Sequence, residues 1–412
     1  MGSGAQGVDS DTGPDCALMT RILTVSTLFP NPAQPNLGLF VAERLRLLLQ
    51  SGKIEARVVA PVPWFPSAHP GFGKYAVFAR VPKRSIWNGI EVLHPRYPVI
   101  PGPGRSLTPV GIKFAIQRAA RQIRRSGFDF DLVDAHYYFP DGVAAALASS
   151  AIAKPLVITA RGTDINLIPR FRLARALVRW AGQKAVASIC VAQALKDEML
   201  RLGFDSASVH VLRNGVDLDK FRPSDRAMAR SSIGLVQSKI LLSVGYLIER
   251  KGHHVIIEAM RHLPDWHLVI VGDGELRQSL RQQAVDAGVA DRVQFIGAVP
   301  QRELPSYYCA ADIVVLASSR EGMPNVVLEA LACGTPVLAT RAWGTPEILA
   351  DSRAGALLGS RTPEAVVESV RCMESEGRSV ASVRAYSESL GWGPTISGQV
   401  DLFDKVARGV SA

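Results

Sequence analysis

A rhythm in the sequence limits what this chain can fold into: short apolar, β-branched runs, each followed by a helix-length segment, recur in two successive series. The first series comprises Arg21–Phe29, Glu55–Pro61, Leu132–Ala135, Pro155–Thr159, Ala187–Val191 and Val209–Leu212. The second restarts at Ile240–Val244 and continues through Trp266–Val271, Val293–Ile296, Ile313–Leu316 and Thr335–Ala339. Runs this short and apolar suit strands buried on both faces, and the segments between them supply the helical crossovers that parallel strands need. The expectation is an α/β chain of two Rossmann-like, doubly wound domains. Their join falls near Asp217–Asp225, where Phe221, Arg222, Pro223 and Ser224 break regular structure. The division predicted is 19–220 and 221–385 for the domains and 386–412 for a terminal helix. Val271 to Glu275 contains two glycines after a strand, but Arg277 stands where a dinucleotide fingerprint needs its third. A tight strand-to-helix turn explains it better than a nicotinamide site.

Composition narrows function by exclusion. No apolar run reaches the roughly 18 residues that a membrane-spanning helix needs. Residues 1–18 are small and polar, with Asp9, Asp11 and Asp15. They lack the layout of a signal peptide and read as a disordered leader, with Met19 as a second candidate start. The cysteines Cys16, Cys190, Cys309, Cys333 and Cys372 are scattered without a CxxC pair, which argues against a disulfide framework or zinc site and for a reducing cytoplasm. Net charge is +10 and unevenly spread. Residues 1–220 carry 27 Lys and Arg against 16 Asp and Glu, whereas 221–412 carry 20 against 21. A basic first half attracts anionic partners such as membrane headgroups or phosphorylated acceptors. No zinc finger, basic zipper or aromatic RNA-binding motif accompanies the charge, so nucleic acid is not an expected partner.

The segment richest in chemistry runs from Ser318 to Val337. It follows the buried run Ile313–Leu316, so its loop opens at the carboxyl edge of the sheet, where ligands bind in this architecture. Pro324 suits the start of a helix and Gly334 its end, so a helix is predicted over Asn325–Cys333. Its free N–H groups and dipole would face the loop and favour a phosphate. Glu321 in the loop and Glu329 on the helix border the same space. A carboxylate beside a diphosphate is repelled by it, so hydrogen bonding to sugar or ribose hydroxyls is its natural use.

Two glutamates seven residues apart, within E-G-x-P-x-x-x-x-E-A-x-A-x-G-x-P-V, resemble the donor signature of glycosyltransferase family 4. Gly38 with Phe40, the Asn214-to-Asp217 segment, Lys251 with Gly252, Phe295 to Gly297 and Gly344 to Glu347 extend the resemblance from Arg21 to about Trp392. It implies the GT-B fold, two Rossmann-like domains facing across a cleft, and transfer from a nucleotide-diphosphate sugar with retention. It also implies a last helix over Gly393–Arg408 that crosses back to the first domain, and a site that uses no metal and no cofactor beyond the donor. By the resemblance, Lys251 binds the donor phosphates and Gly38 closes on them from the opposite domain. Glu321, with Gly322 and Met323, holds the sugar; Asn325 and Val326 open the phosphate-binding helix; Glu329 takes the ribose. Relatives commonly have an arginine where Tyr246 stands, and Arg250 is the candidate substitute.

His136, just beyond the run Leu132–Ala135, resembles the active-site histidine that contacts the transferred sugar. Arg161 stands where relatives commonly have histidine, with Gly162 and Asp164 kept; arginine there resembles an envelope-polysaccharide subgroup that includes teichuronic-acid-type enzymes. By the resemblance Arg161 and Asp164 are candidates for binding the acceptor or the sugar, with Arg161 paired either to an acceptor phosphate or to Asp164. The stripe Arg118, Arg121, Arg125 and its repeat Arg172, Arg175, Arg179 suit either solvated helix faces or an anionic membrane surface beneath a peripheral enzyme with a lipid-linked or glycan acceptor. Two rivals remain: a GT-B relative with other chemistry (an epimerase or phosphorylase), and a non-catalytic nucleotide- or lipid-phosphate-binding protein.

Overall fold

The computed structural model describes residues 19–99, 107–237 and 239–410; the leader expected over 1–18 lies outside them. Two parallel sheets dominate. Across the first, the strands lie in the order Val209–Val211, Ala187–Cys190, Leu156–Ala160, Leu132–His136, Thr20–Val25, Ile54–Val59, Ile90–Leu93 and Arg84–Trp87. Only the last pair is antiparallel, a hairpin turned by Asn88 and Gly89 at φ of 46° and 81°, the geometry an Asn-Gly pair favours. The second sheet runs Val293–Gly297, His267–Val271, Ile240–Val244, Ile313–Leu316, Val337–Thr340 and Gly355–Leu358, all parallel. Counted within that domain the order is 3-2-1-4-5-6, that of the doubly wound nucleotide-binding fold.

Both sheets are wound in opposite directions from a central strand, which leaves a crevice at the carboxyl ends where the winding reverses. In the first sheet this point lies between Thr20–Val25 and Leu132–His136, and in the second between Ile240–Val244 and Ile313–Leu316. The central strands are buried along their length, as their apolar sequences require. The tight turn expected after Val271 is a real close approach: a Cβ on Gly272 would lie 1.9 Å from the Gly245 carbonyl oxygen.

One face of the first sheet is covered by helices Thr108–Arg125, Val143–Ile152 and Arg172–Lys184. The other is covered by Leu39–Gln50 and by the last helix, Gly393–Ala407. Val400, Phe403 and Val406 pack there among Ile22, Leu45 and Val58. Phe403 is wholly buried, worth about 1.5–3 kcal/mol relative to an exposed ring. The chain thus crosses between domains twice, and the crossings lie together: Val216 bridges to Gly391, and Gly215 packs on the Trp392 backbone.

Candidate active site

In the second domain, the loop after Ile240–Val244 carries Tyr246, Arg250 and Lys251. The loop after Ile313–Leu316 carries Arg320 to Pro324 and leads into helix Asn325–Ala332. The loops are locked together: the Ser319 N–H donates to the Arg250 carbonyl at 2.8 Å. Gly252 has φ 76°, and a Cβ there would lie 1.9 Å from the Ala317 carbonyl oxygen, so only glycine lets the chain turn at this point. Lys251 thereby faces Glu321, its Nζ donating to Oε1 at 2.7 Å. Arg250 donates to the Arg320 carbonyl at 2.8 Å and lies 3.4 Å from Glu321 Oε2. Burial pushes the Glu321 pKa up, but Lys251, helped by Arg250, overcomes it and holds the carboxyl below its usual range. One turn into the helix, Glu329 accepts from Tyr308 Oη at 2.8 Å and from Gln301 Nε2 at 3.1 Å. Gln301 accepts in turn from Lys220 at 2.8 Å. Burial raises the Glu329 pKa against these donors.

In the first domain, His136 ends its strand and Arg161 follows the next one. The imidazole is 2% exposed. Its Nε2 lies 3.0 Å from Asp134 Oδ2 and its Nδ1 lies 2.9 Å from Arg161 Nη2. A guanidinium only donates, so Nδ1 is the acceptor and the ring proton faces Asp134. Burial lowers the His136 pKa, with Asp134 opposing and Arg161 reinforcing, so the ring is neutral at neutral pH. His136 therefore stands behind Arg161 with both nitrogens engaged, and Arg161 forms the wall. Arg161 also donates to Asn214 Oδ1 at 3.3 Å, and Asn214 donates to Asn325 Oδ1 at 3.0 Å. This chain of hydrogen bonds joins the first domain to the helix start of the second. Asp164 is buried and accepts the backbone N–H groups of Tyr138, Arg161 and Gly162. It shapes the turn that aims Arg161, whose side chain pairs elsewhere.

Two adjoining cavities fill the cleft and share Phe40, Tyr246 and Asn325. One is cationic: Arg161, Arg250, Lys251 and Arg320 surround the single carboxylate Glu321, beside Gly322, Met323 and Val326. The other holds Gly38 and Glu329 with Lys220, Gln301 and Trp392. The first suits a diphosphate with a hydroxyl-bearing group beside it, and the second suits a ring system that offers hydroxyls to Glu329. The sequence reading missed Arg320, Asn166, Lys220, Gln301 and Trp392. Arg320 directly precedes the glutamate motif and Asn166 ends the short helix Thr163–Asn166; Lys220, Gln301 and Trp392 enter from loops without a local pattern. In the D-x-D spacings at Asp129/Asp131 and Asp217/Asp219, three of the four carboxylates have other partners: Asp129 pairs with Arg124 and Lys154, Asp131 accepts the Arg21 N–H, and Asp217 meets Arg46; Asp219 is exposed. Among the described residues no cluster of three potential metal ligands occurs.

Asp141 supports the cleft from below. Its Oδ2 accepts from both N and Oγ1 of Thr27 at 2.9 Å, which ties down the loop leading to Gly38. Burial drives its pKa up to about 7 despite these donors. The folded chain therefore holds a proton that the unfolded chain releases near 3.8, so this residue's contribution falls as pH rises from about 4 to about 7. Asp141→Asn should remove that slope. Melting temperatures of parent and variant, compared at about pH 5 and about pH 8, should show the variant gaining relative to the parent at the higher pH. The comparison cancels the contribution of buried His136, and an unchanged difference would remove the assignment.

Two doubly wound domains with a cationic pocket and a carboxylate-lined pocket at their facing switch points define a transferase of the GT-B class. Comparison with known proteins agrees. Residues 41–220 match the model described as Glycosyltransferase Family 4 and residues 225–389 that described as Glycosyl transferases group 1. The chain is 30% identical over 370 residues to the Bacillus subtilis protein named as teichuronic acid biosynthesis glycosyltransferase TuaC, covering 86% of this chain and 90% of that one. It is also 30% identical over 259 residues to a GDP-mannose-dependent α-(1-6)-phosphatidylinositol monomannoside mannosyltransferase of Mycolicibacterium smegmatis, covering 59% and 67%. Anabaena HepE, solved with UDP and glucose, superposes with a TM-score of 0.71 at 20% identity over 94% of this chain and 100% of that one. The chain belongs to the family 4 glycosyltransferases.

Proposed function

We propose that this enzyme is a retaining, metal-independent hexosyltransferase that moves a sugar from a nucleotide-diphosphate donor to a hydroxyl of a lipid-linked or cell-envelope glycan, at the inner face of the cytoplasmic membrane. The observation that carries the reading is the pairing of Lys251 with Glu321 at the mouth of the Asn325 helix. Lys251, Arg250 and the helix N–H groups would receive the leaving diphosphate, supplying charge where it develops. Glu321 would accept a hydrogen bond from a sugar hydroxyl, and Glu329, with Gln301 and Lys220 behind it, would accept from the ribose. An ion-paired Glu321 is a weak nucleophile, which favours same-face attack. In that step the bond from the anomeric carbon to the diphosphate breaks as the acceptor oxygen bonds to the same face, and the acceptor proton passes to a diphosphate oxygen. The names of the relatives, one acting on a phosphatidylinositol glycolipid, support an envelope acceptor.

The test is nucleotide release from a panel of UDP-, GDP- and ADP-sugars, with and without a membrane lipid extract, for the parent and Glu321→Ala. One nucleotide should be released, more so with lipid, unaffected by a chelator, and lost in the variant. Donor isomerised without acceptor would indicate an epimerase, and a requirement for free phosphate a phosphorylase. A melting shift with every donor but no nucleotide released would reduce the protein to a binding module.

A further inference from the structure

The helical layer on the outer face of the first domain carries charge that the cleft does not use. Helix Thr108–Arg125 presents one outward stripe, in which Leu107, Val110 and Phe114 come first and Arg118, Arg121 and Arg125 continue the same line. The three apolar residues are 56%, 42% and 61% exposed. Helix Arg172–Lys184 exposes Arg172, Arg175 and Arg179 behind Phe171 and Leu173, which are 66% and 58% exposed. Between the two lies Val143–Ile152, a helix without a charged residue. Among the described residues none of these six arginines has a carboxylate partner, whereas Arg124, turned off the stripe, pairs with Asp129. The sequence supplies no counter-charge locally, having no Asp or Glu in residues 92–128 or 165–196.

The orientation of this layer follows from the topology. Crossover helices run opposite to the parallel strands they connect, so both basic helices begin at the carboxyl edge of the sheet, where the cleft opens. Their apolar starts therefore lie at the cleft rim, and the arginines extend away from it. Phe171 closely follows Asn166, whose side chain lines the cationic cavity. A solvated face needs no exposed Phe and Leu at one end and would mix charge signs. A partner that is broad, anionic at its surface and apolar just beneath fits both halves of the pattern.

We propose that this layer is the surface by which the enzyme docks on an anionic lipid bilayer, with Phe114, Phe171 and Leu173 entering the headgroup boundary and the arginines lying on the phosphates. Docking in this orientation holds the cleft mouth at the membrane, where the sugar end of a lipid-linked acceptor reaches Arg161 without leaving the bilayer. The acceptor part of this statement rests on the function proposed above; the docking part does not.

The test uses the full chain and vesicles of phosphatidylcholine with or without phosphatidylglycerol, read by co-sedimentation. The parent should bind only the anionic vesicles, less so at high salt. A variant combining Arg118→Gln, Arg121→Gln, Arg172→Gln and Arg179→Gln should lose at least about tenfold in binding. Phe171→Ser with Leu173→Ser should lose several-fold at unchanged charge. Both variants should keep the parent's nucleotide release from donor in solution, which shows that they fold. Undiminished vesicle binding by the arginine variant overturns the proposal. So does binding to duplex DNA as tight as to anionic vesicles with no effect of the Phe171 and Leu173 changes, which would mark a general polyanion surface. Vesicle binding without turnover of any donor would remove the catalytic reading and leave docking intact; turnover without vesicle binding would do the reverse.

Discussion

Lys251→Ala should lower kcat for nucleotide release by about 10²–10³-fold, with a much smaller change in the KM for donor. Negative charge on the diphosphate grows as its bond to the sugar stretches, so a cation fixed beside it stabilises the transition state more than the bound donor. Lys251 is fixed from two sides, by the Gly252 turn against Ala317 and by its 2.7 Å contact with Glu321. A second consequence separates this role from a general loss of structure. Glu321 is depressed in the parent because Lys251 overcomes the effect of burial. Its contribution to stability is present above its unfolded value of about 4.5 and is lost as pH falls through the lower folded value. Removing Lys251 takes away the largest effect that opposes burial, so Glu321 takes up its proton at a higher pH than in the parent. The acidic limb of the pH–rate profile should therefore move toward neutrality in the variant. A variant within about threefold of the parent, with its acidic limb unmoved, would falsify the assignment of Lys251.

Gly322→Ala should lower kcat/KM by about 10²-fold while leaving the melting temperature nearly unchanged. Gly322 is not among the residues at positive φ, so alanine is compatible with its backbone. The obstacle is contact across the cleft. A Cβ on Gly322 would lie 2.0 Å from the Arg161 carbonyl oxygen, and one on Gly162 would lie 2.9 Å from the Gly322 Cα. The domains meet here backbone to backbone, with Asn166 Nδ2 donating to the Glu321 carbonyl at 3.3 Å beside them. A methyl group at this point wedges the cleft open, separating Arg161 from Lys251 without disturbing either core. Small-angle scattering with saturating nucleoside diphosphate should give a larger radius of gyration for the variant. Equal radii together with parental turnover would show that this contact is dispensable.

Strands that form sheet centres, such as Ile240–Val244 and Ile313–Leu316, have the bounds that the sequence predicts, because burial on both faces leaves a continuous apolar run. The edge hairpin Arg84–Trp87 with Ile90–Leu93 was missed, although Asn88 and Gly89 between them are a hairpin signal. Arg84 and Ile86 are exposed at the sheet edge, so the apolar run that marks a central strand is absent. Gly355–Leu358 closes the other sheet and is only half buried, with the same result. The run expected over Thr335–Ala339 is a strand only from Val337 to Thr340. Thr335 instead bonds its hydroxyl to the Tyr308 carbonyl at 2.7 Å, and Pro336 has no N–H to give a neighbouring strand.

The glutamate motif announced a loop and a helix start, and both exist as expected, because the chemistry of Pro324 and Gly334 is local. Nothing local told that Lys251, 70 residues away in sequence, would neutralise Glu321. Likewise the choice between His136 and Arg161 for the cavity wall lies outside either residue's own segment. Both stand at carboxyl ends of adjacent strands, and the longer arginine reaches over the ring and takes its Nδ1.

By itself the sequence determined the two doubly wound domains and the family of the enzyme, because burial periodicity and turn chemistry act within a few residues of their cause. The tertiary structure decided which charges meet: Lys251 on Glu321, Arg161 on His136, Asn214 on Asn325, and the six arginines left facing outward. Electrostatic and hydrogen-bonding partners are chosen by distance in space, and the fold alone sets that distance.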